Sequence, residues 1–179
     1  MATIDPINER NVSAFKAARL QALRDSPTAF GSTYVRESQF DDAEWRKRTA
    51  YMSGDRGVGF LAMDNNTPCG IIGAFADEDD PGIAQIVSMW VAPTQRRSGL
   101  GTALINAVRS WAHARGVRTL RLMVTSCNHA AMKFYTRNGF TMTGKTGPYP
   151  NDPSIIEHEM AQSVPAEVPH RVTSFAHPA

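Results

Sequence analysis

The stretch "VAPTQRRSGLGTALINAV", residues 91–108, decides the fold of this chain. It passes from an apolar strand-like end, through a polar turn that carries Arg96 and Arg97, into a helix that begins with closely spaced glycines. A helix start leaves backbone N–H groups without partners, and the helix dipole adds positive charge there. Gly99 and Gly101 lack the Cβ that would keep a large anion from the backbone. The turn is therefore a candidate phosphate-binding site, with a plain strand-to-helix connection as the alternative.

Two nucleotide-binding signatures fail at this turn. A P-loop requires GxxxxGK followed by Ser or Thr, and the sequence has no such run. The dinucleotide fingerprint GxGxxG is broken because Leu104 stands where the third glycine belongs. A nucleotide-binding fold is therefore disfavoured.

The composition is that of an ordinary globular chain. It has 179 residues, of which 42% are hydrophobic and 20% charged, with a net charge of +2. This balance argues against nucleic acid or an anionic membrane as the main partner. Cys69 and Cys127 show neither zinc-binding spacing nor a disulfide framework, so we expect no metal site and a cytoplasmic location. We also expect no targeting segment and no membrane span, since no apolar run approaches ~20 residues.

Apolar spacing predicts the element order β-α-α-β-β-β-α-β-α-β-β, a mixed α/β (α+β) fold with helices on the faces of the sheet. The segment "TAFGSTYVRES" reads as a loop or broken helix, and "GPYPNDP" as a loop between the last two strands. We predict one domain over residues 1–160. Residues 161–179 lack periodicity and carry three prolines, so we predict a Pro-rich C-terminal tail.

The run Arg96-Arg97-Ser98-Gly99-Leu100-Gly101, preceded by "IVSMWVAP", resembles motif A of the GNAT superfamily of acyl-CoA-dependent N-acetyltransferases. Its signature is Gln/Arg-x-x-Gly-x-Gly/Ala after an apolar strand. Downstream, "NHAAMKFYTRNGF" is similar to motif B of the same superfamily, and the two motifs stand in the expected order. The resemblance covers about residues 57–160. It implies a GNAT-like fold with a central twisted, mostly antiparallel sheet flanked by helices.

The resemblance also implies acetyl-CoA as co-substrate and a set of residues that bind it. In this superfamily the motif-A strand splays from the strand after it. The resemblance therefore implies that the pantetheine arm lies in this gap along the strand backbone, and that backbone amides of the turn hold the pyrophosphate. Asn128 either hydrogen-bonds the cofactor or caps the motif-B helix, and Tyr135 matches the tyrosine that protonates the departing thiolate. The implied cofactor-binding residues are Met89, Trp90, Val91, Arg96, Arg97, Ser98, Gly99, Leu100, Gly101, Thr102 and Asn128.

The base that takes the proton of the acceptor amine is not evident from the sequence. Histone-type members carry a glutamate sixteen residues before the last motif-A glycine, and this chain has Gln85 there. Glutamine cannot accept a proton, so another carboxylate, a water relay or an amine of low pKa is needed. Glu37, Glu157 and Glu159 are candidate carboxylates, and Ser88 is a candidate anchor for a water relay.

The sequence indicates the acceptor less clearly than it indicates the cofactor. "AFGSTYVRE" and "GPYPNDP" match the segments where the superfamily builds its acceptor pocket, which gives Phe30, Tyr34, Glu37 and Tyr149 as substrate-binding candidates. Glu157, on the last predicted strand, is a further substrate-binding candidate. The resulting hypothesis is direct acetyl transfer in a ternary complex to an amine, with a small-molecule acceptor favoured. Protein N-terminal or lysine acetylation, and a non-catalytic acyl-CoA sensor, stay open as alternatives. The assembly state is also open, with a homodimer among the alternatives.

Overall fold

A single seven-stranded sheet organises the protein, whose computed structural model describes residues 2–165. Its strands are β1 (Thr3–Pro6), β2 (Gly57–Asp64), β3 (Thr67–Ala76), β4 (Ile83–Val91), β5 (Thr119–Thr125), β6 (Thr141–Tyr149) and β7 (Asp152–Ser163). Their order across the sheet is β1-β2-β3-β4-β5-β7-β6. Only β4 and β5 pair in parallel among these strands, while all other neighbours are antiparallel. The predicted mixed, mostly antiparallel sheet is confirmed.

The helices follow the predicted order, with one short addition. They are α1 (Val12–Asp25), α2 (Tyr34–Glu37), α3 (Asp42–Met52), α4 (Leu100–Ala114) and α5 (His129–Arg137), with single 3-10 turns at Glu9–Asn11, Pro27–Ala29 and Pro93–Gln95. The one-turn α2 and the turn before it lie in the segment predicted as a loop or broken helix. Within residues 2–165, no helix has the length and apolar character needed to cross a bilayer.

Helices cover both faces of the sheet. In β3, a Cβ on Gly70 would lie 3.0 Å from Leu104 of α4, and a Cβ on Gly73 would lie 3.3 Å from Met52 of α3. Positions 70 and 73 face opposite sides of a strand because side chains alternate. α4 therefore packs on one face and α3 on the other. The predicted apolar face of α4 is buried at Leu100, Leu104, Ile105, Val108 and Ala112.

The C-terminal hairpin is longer and tighter than the sequence predicts. The predicted loop "GPYPNDP" is mostly strand, because β6 runs to Tyr149 and β7 begins at Asp152. Pro148 is tolerated within β6 because β6 is an edge strand, where a missing N–H breaks no inner ladder. β7 also continues past residue 160 to Ser163, into the segment predicted as a tail. Residues 166–179 of that predicted tail lie outside the described part of the chain.

Candidate functional site

The seam between β4 and β5 opens halfway along the strands. Parallel pairing starts at Ile83 with Thr119 and ends at Gln85 with Arg121. Both strands continue, β4 to Val91 and β5 to Thr125, without pairing to each other. Backbone polar groups left without ladder partners inside a sheet require other partners. The open seam is therefore a place where an elongated molecule with amide groups fits.

A bulge in β4 accompanies the opening. On β3 the pairing steps from Gly73 to Ile71, while on β4 it steps from Val87 to Trp90, so β4 carries one extra residue. Ser88, within this step, has a φ of +58°. A bulge bends its strand and increases the local twist, which turns the second half of β4 away from its neighbour.

Gln85 is held at the point where the seam begins to open. Its Oε1 accepts a hydrogen bond of 3.1 Å from Nε of Arg121, whose Nη2 also contacts Asp77. Backbone N–H groups of Asp80 and Asp79, followed by the charge of Arg121, keep the pKa of Asp77 below its usual value. The position that is a glutamate in histone-type members is thus a neutral, hydrogen-bonded amide in this chain.

The turn before α4 exposes a row of unpaired backbone donors. Gly99 has a φ of +90°, and a Cβ there would meet no heavy atom within 4 Å, so this glycine is required by its backbone conformation. Few donors of the turn are used within the described residues: Arg96 donates to the Pro93 carbonyl at 3.4 Å and Leu100 to Oγ of Ser98 at 3.3 Å. The backbone N–H groups of Arg97, Ser98, Gly99, Gly101 and Thr102 make no hydrogen bond within residues 2–165. Such a row at a helix start binds anions well.

Two features of the turn differ from the sequence prediction. A Cβ on Gly101 would lie 3.0 Å from the ring of Phe134, so this glycine makes room for α5 rather than for an anion. The guanidinium of Arg96 is ion-paired with Asp25 and donates to the Val91 carbonyl at 3.0 Å. It is therefore not free to neutralise a phosphate, and its backbone N–H is also used, by the Pro93 carbonyl. Arg97 has no ion pair among the described residues.

Asp25, at the end of α1, ties the turn to β4. Besides Arg96, it accepts hydrogen bonds from Nε1 of Trp90 at 2.9 Å and from Oγ of Ser26 at 2.8 Å. Partial burial alone would raise the pKa of Asp25, but these hydrogen bonds and the charge of Arg96 outweigh it and lower the pKa. The side chain of Trp90 is therefore a buried anchor, and only its backbone is available to a ligand at the seam.

A cleft of about 380 Å³ lies over the open seam. Segments from β4, β5, α5, β7 and the stretch around α2 line it. Of the site residues predicted from the sequence, it brings together Met89, Asn128, Tyr135, Phe30, Glu37 and Glu157.

Tyr135 on α5 presents the clearest chemical group in this cleft. Its side chain is 8% exposed and packs edge-on against Phe134 and Phe140, with ring centroids 5.3 and 5.7 Å away. Its hydroxyl forms no hydrogen bond with any residue in the described range 2–165. Burial raises the pKa of Tyr135 well above its ordinary value, so the phenol stays protonated. Asn128 caps the same helix, since its Oδ1 accepts from the backbone N–H of Ala131 at 3.1 Å.

Glu37 lines the cleft, but its carboxylate is fully engaged. Nε and Nη2 of Arg19 donate to its two oxygens at 2.9 and 2.7 Å, and Nη1 of Arg48 lies 3.5 Å from Oε1. The side chain is completely buried, which alone would raise the pKa of Glu37, but the hydrogen bonds and charge of Arg19 lower it. A carboxylate of low pKa with two guanidinium partners is a poor proton acceptor. The geometry therefore argues against Glu37, which the sequence offered as one candidate for the base.

Two predicted acceptor contacts do not reach the cleft. The ring of Tyr34 lies under the guanidinium of Arg24, 4.0 Å from ring centroid to guanidinium carbon. The hydroxyl of Tyr149 donates toward the carbonyls of Pro27 and Phe30, at 3.0 and 2.8 Å, and its ring is buried. Tyr149 therefore fixes the segment that carries Phe30 rather than touching a ligand itself.

The last strand contributes one carboxylate to the cleft. Glu157 lies on β7, where it pairs with Thr125 of β5, and burial raises the pKa of its carboxyl group. It makes no ion pair with a residue in the described part of the chain. Glu159 is not a cleft residue: its Oε1 accepts from Oγ1 of Thr143 at 2.9 Å and lies 4.0 Å from the ammonium of Lys145.

Sequence reasoning missed three arginines that line the cleft: Arg19, Arg36 and Arg48. Arg19 left a signal, because it falls between Ala18 and Ala22 on the buried face of α1. A charged residue at an apolar helical position is costly unless it is paired, and so it points to a partner elsewhere in the fold. Arg36 and Arg48 stand at half-exposed or exposed positions and left no comparable signal.

The known proteins that this chain resembles in sequence carry the names of acetyltransferases. The sequence model of the acetyltransferase (GNAT) family matches residues 20–140, more than half of the chain. An uncharacterized N-acetyltransferase of Methanocaldococcus jannaschii is 39% identical over 83 residues, 46% of this chain and 34% of that protein. The matched stretches of three curated relatives make up 34%, 20% and 53% of their lengths, so each covers less than two thirds of the relative.

Solved structures share the whole architecture. A GNAT-family acetyltransferase from Streptococcus pneumoniae superposes with a TM-score of 0.77 at 22% identity, over 92% of this chain and all of that one. An aminoglycoside 6'-N-acetyltransferase complexed with coenzyme A superposes with a TM-score of 0.68 at 17% identity, over 93% of this chain and 99% of that one. At these identities the likeness is one of fold. Because the family match extends over residues 20–140 on that fold, the chain belongs to the acetyltransferase (GNAT) family.

Proposed function

We propose that this protein transfers an acetyl group from acetyl-CoA to the amine of a small molecule, with both substrates bound together. One observation carries the proposal: the open seam and the free hydroxyl of Tyr135 border one cleft, and the unpaired amides belong to the turn that follows β4, where Gly101 lies beside Met89 of that cleft. Each of them lacks a protein partner that its chemistry requires, and an acyl-CoA supplies all three.

The fit to acetyl-CoA is argued from donor and acceptor groups. The unpaired amides from Arg97 to Thr102 suit a pyrophosphate, and the exposed guanidinium of Arg97 adds charge beside them. The unpaired edge of β4 around Met89 suits an arm that carries its own amides. The coenzyme A bound to the aminoglycoside acetyltransferase, a protein of similar fold, supports the same ligand here.

The reaction forms one bond and breaks one. The acceptor nitrogen bonds to the acetyl carbon, the bond from that carbon to sulfur breaks, and the sulfur leaves with the electron pair. Tyr135 is placed to donate a hydrogen bond, and then its proton, as negative charge develops on the sulfur. Burial raises the pKa of Tyr135, which keeps the phenol protonated but also makes it a weaker acid. Full transfer therefore requires that the same water-excluded surroundings raise the proton affinity of the thiolate as well. Solvent then reprotonates the phenol.

The acceptor nitrogen must lose protons to become an amide. A free primary amine is mostly protonated near neutral pH, since its pKa lies near ~10. Glu157 is the cleft carboxylate that no cation of the described chain occupies, and its raised pKa makes it a better proton acceptor than an exposed glutamate. We therefore assign Glu157 as the group that receives the ammonium proton and passes it to solvent. The second proton, released from the nitrogen after attack, also leaves to solvent and balances the one that Tyr135 gives to the sulfur.

The experiment measures coenzyme A thiol release with acetyl-CoA and a panel of small amines, peptides and lysine-containing proteins. We expect turnover with small amines, and thermal stabilisation by acetyl-CoA without any acceptor. Stabilisation without turnover across the panel would favour an acyl-CoA sensor, a reading that the neutral Gln85 supports. Preference for peptides over small amines would move the acceptor class to proteins, and a lack of stabilisation by acyl-CoA would refute the proposal.

A further inference from the structure

Charge pairing around the cleft leaves two groups without counter-ions. Arg19 and Glu37 neutralise each other, and Arg48 is shared between Glu37 and Glu44, at 3.5 and 3.3 Å. Of the charged side chains that line the cleft, Arg36 and Glu157 alone make no ion pair with any residue from 2 to 165.

The two groups have opposite charge and come from different walls. Arg36 projects from α2, in the segment that follows α1, while Glu157 belongs to β7. A cleft that holds one free guanidinium and one free carboxylate is complementary to a ligand with both an ammonium and an anionic group.

We propose that the acceptor is an amino carboxylate, whose ammonium is bound by Glu157 and whose carboxylate is bound by Arg36. This inference rests on the proposed acetyl transfer and adds the class of acceptor. A guanidinium presents paired donors that match the two oxygens of a carboxylate. An acceptor bound in this way has its nitrogen next to the group assigned to take its proton.

The neighbouring pairs explain why Arg36 is left for the ligand. Glu37 follows it in sequence and would be its natural counter-ion, but both Glu37 oxygens accept from Arg19. The backbone N–H of Arg36 is capped by Oγ1 of Thr33 at 3.2 Å, so the one-turn helix is held by its own cap. The Arg36 guanidinium therefore makes no hydrogen bond or ion pair with any of the described residues.

The test compares acceptors that differ only in the anionic group. Each of a set of α-, β- and γ-amino acids is paired with its amide and with the amine that lacks the carboxyl group. Initial rates of thiol release give kcat and KM for wild type, Arg36→Gln and the matched control Arg46→Gln. Arg46 lies on α3 with its side chain exposed, and it does not line the cleft.

For at least one of the α-, β- and γ-amino acids, we expect kcat/KM to be about 10- to 100-fold higher than for its amide and for the amine without the carboxyl group. This is the effect of a charge-assisted hydrogen bond. Arg36→Gln should remove most of this ratio by raising KM for the amino acid, while the rate with the amide changes little. Arg46→Gln should leave both the kcat/KM ratio and the rate with the amide unchanged.

The results that would refute the acceptor class differ from those that would refute acetyl transfer. If amides or plain amines are used as well as the amino acids, or if Arg36→Gln slows all acceptors equally, the acceptor class is wrong although acetyl transfer stands. If no amino acid is turned over while acetyl-CoA still stabilises the protein, the inference is likewise refuted. Failure of acetyl-CoA to stabilise the protein refutes the proposed function itself.

Discussion

Replacing Glu37 by glutamine should destabilise the protein far more than its position in a loop-rich segment suggests. The carboxylate is completely buried and accepts hydrogen bonds from Arg19 at 2.9 and 2.7 Å, with Arg48 at 3.5 Å. Removing one partner of a buried ion pair costs ~3–5 kcal/mol, because the other charge stays buried without compensation. The amide oxygen of glutamine still accepts one hydrogen bond, so we expect about 3 kcal/mol, near the lower end of that range.

Urea unfolding at pH 7, followed by tryptophan fluorescence, measures this loss. Glu44→Gln is the matched control, because Glu44 also pairs with Arg48 but its side chain is 35% exposed. An exposed pair contributes ~0–1 kcal/mol, so the control should lose less than about 1 kcal/mol. The double variant Arg19→Met with Glu37→Met should lose less than Glu37→Gln, since it removes both buried charges.

The pH dependence gives a second check on Glu37. Its pKa in the folded protein is lowered below the value in the unfolded chain, which is ~4.3. The stabilisation is therefore fully present above the unfolded pKa and is lost as pH falls toward the folded pKa. The gap between wild type and Glu37→Gln should narrow in acid. A gap below about 1 kcal/mol at pH 7, or one that stays constant into acid, would refute the buried-pair reasoning.

Three further predictions concern the cofactor turn and the cleft. Tyr135→Phe should lower turnover by about 10²- to 10⁴-fold and leave acetyl-CoA affinity almost unchanged, as initial rates and a binding titration would show. Gly99→Ala should cost about 1–2 kcal/mol in urea unfolding, because its φ of +90° is unfavourable with a Cβ, whereas Gly54→Ala should not destabilise the protein. Glu157→Gln should be more stable than wild type at neutral pH and equally stable in acid. The raised pKa of Glu157 means that folding weakens as pH rises from the unfolded pKa through the folded one.

The order of elements along the chain and the glycine turn before α4 could be predicted because their signals are local. The apolar spacing of α4, the glycine at a positive φ and the Asn128 cap each lie within one turn of the feature they determine. The positive φ of Ser88 gave no such signal, because serine is not a residue that marks a left-handed backbone. The opening of the seam was therefore known only through the family resemblance.

The acceptor side was predicted poorly because its contacts join distant segments. Arg19 meets Glu37 across 18 positions, and the Tyr149 hydroxyl meets the Phe30 carbonyl across 119. The resemblance of their segments to the superfamily's acceptor pocket marked Tyr149 and Glu37 as ligand contacts, whereas the polar groups of both side chains bond to other parts of this wall. Arg36 became visible only after every other charge in the cleft except that of Glu157 had been paired.

The turn before α4 and the helix that carries Tyr135 are held together by direct packing. This turn leads into α4, and Gly101 in the first turn of the helix lets the ring of Phe134 come so close that a Cβ at Gly101 would lie 3.0 Å from it. Phe134 precedes Tyr135 on α5, so the separation of the two helices also sets where the phenol lies relative to the turn. Asp25 fixes the same turn to β4 from the other side, through Trp90 and Arg96. The contact at Gly101 therefore helps to set the distance between the turn and the Tyr135 phenol, and it gives the second glycine of the turn a packing role.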